Sequence, residues 1–314
     1  MFRSLHGAVT QHGFSGRRGS QLQYLSVAAG AAIVGLVLWE VFHDLFHPAG
    51  RAALTAAVGR AYFAMLRGKR YRLSLAGPLV LVTVILLWVA GLVAGFALIY
   101  LPFFPDGFRT SAGVIPPAVN PVMTTLYISA ETLTTLGYGD LPPHDVGLRV
   151  IATMEGLVGF ALVTASVSEI VLIYPALTRM RHLALGVSHV VRGEAYSGVR
   201  LADTGSDVIL SGLASGVTHA RIDLIHFPVI YFFAPQSEDA SIARWTRALA
   251  RFAGEAGASD RPAHVRFAAA TLDKSLDDLS SLLENQFLKS AKGRPRNEIF
   301  AAFARYHDVD RPAE

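Results

Sequence analysis

From position 75 to 101 the chain runs 27 residues without one charged side chain. At about 1.5 Å per residue, a helix of that length crosses a hydrocarbon core of about 30 Å with some tilt. Lipid offers backbone groups no partner, so a segment of this kind satisfies its own hydrogen bonds as a helix. Two further segments read the same way. One covers 22–47 and carries no charge until Glu40; the other covers 147–174, where Pro175 is expected to end it. A composition of 52% hydrophobic against 17% charged residues belongs with this class and not with soluble globular chains. The chain has no cysteine, which excludes disulfides, thiol chemistry and thiolate metal sites.

Between the last two spans stands Thr134-Thr135-Leu136-Gly137-Tyr138-Gly139-Asp140. These residues make a poor helix, yet they fall where membrane depth is expected. Non-helical backbone is tolerated there only when buried in protein or lining a watery path. Glycine takes φ > 0 without steric cost, and alternating it with ordinary residues lets successive carbonyls face one way. A column of carbonyls can replace the water shell of a monovalent cation. The run Thr135–Gly139 matches the signature T-x-G-Y-G. The longer stretch from Glu131 to Leu141 resembles the pore of the two-helix bacterial potassium channels, and the likeness extends over 75–174.

That resemblance implies an all-α membrane protein with a tetrameric potassium-channel pore: an outer helix at 75–101, a re-entrant pore helix at 122–134, a filter at 135–140 and an inner helix at 147–174. The K+ ligands would be the carbonyls of Thr135, Leu136, Gly137 and Tyr138, with the Thr135 hydroxyl at the inner site and Gly139 closing the filter. One pore loop per chain is a quarter of a ring, so a homotetramer is required. The only bound species expected is K+ itself, with no organic cofactor and no enzymatic activity. A potassium transporter subunit would carry four degenerate loops in one chain, and this chain has one.

In the family, the positions of Glu131 and Asp140 face each other behind the filter and share a proton or water. Two carboxylates so close cannot both ionise cheaply. Thr134 supports the same turn. Many relatives carry a tryptophan pair in the pore helix, where this chain has Tyr127 and Ile128. Tyr127 is expected to donate to Asp140, giving the filter a different cuff. Laid on the family without a gap, Gly159 stands where the inner helix bends to open, and Gly156 is either a second flex point or a close-packing residue. By the same likeness, Phe160, Val163, Val167 and Val171 line the cavity. Glu155 and Glu169 share the opposite face. Glu155 is expected to meet polar groups of the pore helix, and Glu169 to lie near the cytoplasmic mouth or in water.

The flanks are read from pattern alone. Residues 1–21 are Gly/Ser/Gln-rich and expected to be disordered. A signal peptide competes for the first apolar helix, but no small-residue cleavage site follows it. Its end carries Glu40, His43, Asp44 and His47 at i, i+3, i+4, i+7, one helix face. That stripe suits zinc or iron as a metal site or sensor, or it is a solvated headgroup-level end anchored by Trp39. Residues 50–72 form a basic segment, with Leu54, Val58, Tyr62, Met65 and Leu66 as an apolar side. It is expected in the interface, with anionic lipid headgroups at Arg51–Arg72; the alternative is packing on a soluble domain. From 176 onward, 17 Lys/Arg stand against 16 Asp/Glu. The basic excess therefore lies at the membrane, not on a nucleic-acid surface. By the positive-inside rule both ends of the pore unit are cytoplasmic, and three spans put the N-terminus outside. The turret between outer and pore helix is proline-punctuated, with Pro102, Pro105, Pro116, Pro117 and Pro121.

Residues 176–314 are expected to be a helical cytoplasmic domain without a dinucleotide fingerprint. Helices are expected at 206–219, 240–255 and 262–288, with 222–233 as core. In the last helix Val265, Ala269, Leu272, Leu276, Leu279, Leu283 and Gln286 suit either a coiled-coil seam or packing within the domain. No span carries arginine at every third position, so no voltage sensor of the usual kind is encoded.

Overall fold

A computed structural model describes residues 13–46, 53–66, 74–109, 120–235, 237–288 and 291–307. Nine α-helices are seen among them: α1 Gly13–Phe46, α2 Ala53–Leu66, α3 Ala76–Tyr100, α4 Pro121–Leu133, α5 Val146–Ser197, α6 Asp207–His226, α7 Ile242–Ala256, α8 Ala263–Leu282 and α9 Arg296–Tyr306. The described residues contain no strand, only one antiparallel bridge between Phe108 and Pro143. The fold is all-α. The chain divides into two compact units, Met1–His43 with Ile85–Val167, and Asp44–Val84 with Ser168–Glu314.

In the first unit α1 packs on α3. Ser26 Oγ donates to the Leu98 carbonyl at 2.7 Å. At Gly30 an added Cβ would stand 2.5 Å from the Gly95 carbonyl oxygen, and at Gly91 one would stand 2.8 Å from Val37 Cγ2. Small residues let the two backbones approach this closely, the usual device where lipid supplies no hydrophobic drive between helices. Positions 26, 30 and 37 meet 98, 95 and 91, so the helices run antiparallel. The N-terminal end of α1 therefore lies at the loop-bearing end of α3.

The second unit has its own core. The strong amphipathic period of α7 buries Ile242, Trp245, Leu249 and Phe252. Val265, Ala269, Leu272, Leu276, Leu279 and Leu283 are all buried as well. The long heptad-like row is thus the domain's own core, and the packing alternative holds over the coiled coil. An aromatic layer joins α2 to the C-terminal segment. Phe63 stacks on Tyr306 at 4.8 Å, and Tyr231 stacks on Phe287 at 4.2 Å. His307 sits buried in that layer, and burial pulls its pKa down to about 3. Burial likewise pushes Tyr231 well above the ordinary phenol range. Asp223, buried on α6, accepts both Nε and Nη2 of Arg179, at 3.0 and 2.5 Å.

Several boundaries differ from the sequence reading. Residues 13–21, expected to be disordered, belong to α1. Extending a formed helix fixes one residue per new bond, which is cheaper than starting one. Pro175 does not end the inner helix; it lies inside α5, which continues to Ser197. Proline costs roughly 3 kcal/mol in a helix interior. The neighbours Ile173, Ala176 and Leu177 are all buried, and that packing offsets the lost bond. α6 runs on to His226, and only Pro228–Phe232 of the expected apolar core segment is a separate 3-10 turn, with Val229 to Phe232 buried. α8 stops at Leu282, and Leu283–Phe287 forms a π turn.

α2 turns Thr55 and Phe63 into the second unit, while Met65 stays 81% exposed. That buried stripe takes the soluble-packing alternative. The side with Val58 and Tyr62 is half-buried, and the Tyr62 and Thr83 hydroxyls hydrogen-bond at 2.9 Å. Arg51, Arg67, Lys69, Arg70 and Arg72 lie outside the described residues, as do Pro116 and Pro117.

Among the described residues four helical segments, one more than the three read from sequence, are long and apolar enough to cross a membrane: Gln23–Asp44, Ala76–Phe103, Val146–Ser197 and Asp207–His226. The last carries Leu210, Leu213, Val217, Leu224 and the ion-paired Asp223 on its buried face. Its apolarity serves the core of the second unit.

Candidate ion-conduction site

The pore helix α4 begins at Asn120, whose Oδ1 accepts the amides of Val122 and Met123 at 3.0 and 3.4 Å, with Pro121 at the first helical position. It ends at Thr134, whose amide and hydroxyl both donate to the Ala130 carbonyl, at 3.1 and 2.7 Å. Beyond it the backbone alternates. Thr135, Gly137 and Gly139 have φ of 57, 59 and 72°, and Leu136 and Tyr138 between them do not enter the left-handed region. Thr135 is the only non-glycine residue with positive φ among those described. Such a residue stores roughly 1–3 kcal/mol of strain and persists only where its surroundings hold it.

The surroundings do hold it. The Leu136 amide donates to the Glu131 carbonyl at 3.0 Å, and the Thr135 amide to that of Thr132 at 3.0 Å. Glu131 Oε1 accepts the Gly139 amide at 3.1 Å. Tyr127 donates its hydroxyl to Asp140 Oδ2 at 3.1 Å, the bond expected from its place in the pore helix. The two carboxylates behind the filter thus take different donors. Leu136 and Tyr138 side chains are 57% and 69% exposed in the single chain.

On α5, Phe160, Val163 and Val167 are exposed, and so, within the second unit, is Val171. The opposite face is buried. Glu155 is 0% exposed, and Leu162 is 5% exposed. The Glu155 carboxylate accepts Ser129 Oγ of the pore helix and the Tyr100 hydroxyl of α3, each at 2.5 Å. Contact with the pore helix was legible in the sequence. Sequence alone does not single out Ser129 and Tyr100, because an isolated serine or tyrosine in an apolar run gives no signal of its partner. Gly159 lies against the pore helix too: a Cβ there would come within 1.8 Å of the Leu133 carbonyl oxygen, whereas at Gly156 the nearest atom is the Thr132 oxygen at 3.8 Å. Close packing therefore requires glycine at 159 and only tolerates it at 156.

Glu169 is partly buried, within electrostatic reach of Asp44, which accepts the Thr55 hydroxyl at 3.2 Å. Among the described residues no three His, Cys, Asp or Glu side chains converge on a metal position. Of the stripe Glu40, His43, Asp44 and His47, the last lies outside the described residues. Trp39 and His43 rings are 6.2 Å apart.

Residues 82–174 match the family described as an ion channel. The protein LctB of Bacillus caldotenax is 35% identical over 109 residues, covering 32% of this chain and 75% of that protein. LctB of Geobacillus stearothermophilus is 31% identical over 105 residues, again 32% and 75%. An uncharacterized membrane protein, YdjJ, of Bacillus subtilis (strain 168) is 25% identical over 177 residues, 54% of this chain and 50% of that one. The chain thus spans about half the length of YdjJ. No solved structure matches.

Proposed function

This chain belongs to the two-helix pore-loop ion-channel family, and from that premise we propose that it is a potassium-selective channel, passing K+ passively through a homotetrameric filter. The observation that carries the reading is the left-handed φ at every second residue, Thr135, Gly137 and Gly139. Such alternation lets the carbonyls of Thr135, Leu136, Gly137 and Tyr138 face one side. Four copies around an axis would close them into rings that replace the hydration shell of K+. An ion then enters by exchanging water for carbonyl oxygen and leaves when the next ion displaces it.

Further support comes from the filter's bracing. Glu131 and Tyr127 hold its outer end through Gly139 and Asp140, and Thr134 with Ala130 fixes its inner end. The exposure of Phe160, Val163 and Val167 on the single chain suits a cavity face that only the tetramer encloses. The antiparallel packing of α1 on α3 supports an α1 that starts on the filter side. With the basic loop and the second unit in the cytoplasm, this is N-outside in the cell membrane. No voltage sensor is invoked, and basic residues in 51–72 would meet anionic headgroups.

The test is ion flux from liposomes holding the purified tetramer. Potassium-selective flux that barium blocks and Gly137→Ala abolishes supports the reading. Equal potassium and sodium flux would overturn it.

A further inference from the structure

Conduction through the filter does not by itself account for Glu155. A carboxylate sealed in an apolar helical unit is costly, and here it is wholly buried within one chain. Each oxygen has its own hydroxyl donor on a different helix, Ser129 on the pore helix and Tyr100 at the end of α3, both at 2.5 Å. Three helices therefore meet on one side chain. Ser129 stands one turn before Leu133, the last residue of the pore helix, and two residues before Glu131, whose carboxylate takes the Gly139 amide at 3.1 Å. One turn along α5 from Glu155, Gly159 leaves no room over the Leu133 carbonyl. The inner helix thus grips the last turn of the pore helix twice, by a polar bond at Ser129 and by contact at Leu133. That turn cannot shift independently of the 155–159 segment.

We propose that Glu155 is a positioning residue of the filter: through Ser129 its carboxylate fixes the last turn of the pore helix, and with it Thr134 and Thr135 at the filter's inner end. This rests on the channel reading above and names a residue that holds the same site in place. A carboxylate is the group that suits the place, because both of its oxygens accept. Glutamine keeps the volume but presents one acceptor and one donor, so one of the two hydroxyls must turn its hydrogen away.

The test uses full-length tetramers in liposomes, with Ser129→Ala, Glu155→Gln and the double variant. Two quantities are read: the potassium-to-sodium flux ratio and amide hydrogen exchange at Thr134 to Leu136. Ser129→Ala leaves the Tyr100 bond in place and is expected to fold. Each single variant should lower the flux ratio and speed exchange by roughly tenfold, the scale of one hydrogen bond to a charged group. The double variant should do no more than either single, since both break one link. Unchanged ratio and exchange in both singles would overturn the proposal, as would a fully additive double. Should the wild type carry sodium as readily as potassium, the potassium reading fails. The exchange rates then still decide on Glu155: faster exchange supports its positioning role, and unchanged exchange removes it.

Discussion

Replacing Gly159 by alanine separates two roles for that residue, hinge and spacer. The added Cβ would stand 1.8 Å from the Leu133 carbonyl oxygen, where real Cβ atoms essentially never come within 3.0 Å, so α5 and the pore helix must part by about 1.2 Å. The obstacle is backbone and has no rotamer to move to. Overpacking of this kind costs about 1–3 kcal/mol, or more, against roughly 1 kcal/mol regained in helix preference. A net loss of about 0–2 kcal/mol per subunit follows, felt four times in the proposed tetramer. The part displaced is the turn that carries Thr134 and Thr135. The assay pairs tetramer melting in detergent with potassium and sodium flux in liposomes. Gly159→Ala should melt earlier and discriminate less between the ions. Gly156→Ala, with 3.8 Å to its nearest neighbour, should melt no earlier than wild type. A Gly159→Ala tetramer as stable as wild type, with full selectivity and only a shifted opening, would refute the spacer argument and leave the hinge.

Other consequences follow from single contacts. Tyr127→Phe removes the hydroxyl that Asp140 accepts at 3.1 Å, a loss of roughly 0.5–1.5 kcal/mol in filter bracing; potassium flux should decay faster at low potassium, and an unchanged decay would show the bond to be idle. His307 is held neutral by burial with a pKa of about 3, below its unfolded value of about 6.5, so the unfolded chain binds the extra proton between those limits. Stability should therefore be complete above pH 6.5 and fall as pH drops toward 3, by up to about 1.4 kcal/mol per unit. His307→Leu should flatten that slope in melts taken from pH 7.5 to 5, and equal slopes would contradict the burial argument. Arg179→Gln strands the Asp223 carboxylate, whose side chain is 5% exposed while that of Arg179 is 48% exposed. Discounted for that exposure, the cost is roughly 2 kcal/mol in the melting of the second unit, and Asp223→Asn should cost less.

What the sequence disclosed depended on whether a residue's partner was dictated locally. The filter was legible because glycine alternation and its place between two apolar spans leave few other conformations. Tyr127 and Asp140 were legible because a short re-entrant helix returns the chain to the start of the filter. Glu155 announced itself as a buried charge that must find donors, although the donors were anonymous. The misreadings came where long-range packing outweighed a local rule. Pro175 is a helix breaker by its missing amide, yet buried neighbours on either side carry α5 through it. The α2 side read as lipid-facing is offset from the stripe that packs, Thr55 and Phe63, because aromatic partners at 232, 306 and 307 are far away in sequence. The apolarity of α6 looks like that of a membrane span until Asp223 is seen with Arg179.

Flux from liposomes tests the filter's role most directly. Purified wild-type protein is compared with Gly137→Ala under opposed potassium and sodium gradients, with barium added. Potassium-selective flux is expected in the wild type, stopped by barium and absent in the variant, because alanine cannot hold φ near 59° at that position without strain. Flux that ignores the identity of the ion, or that survives Gly137→Ala with its selectivity intact, would contradict it.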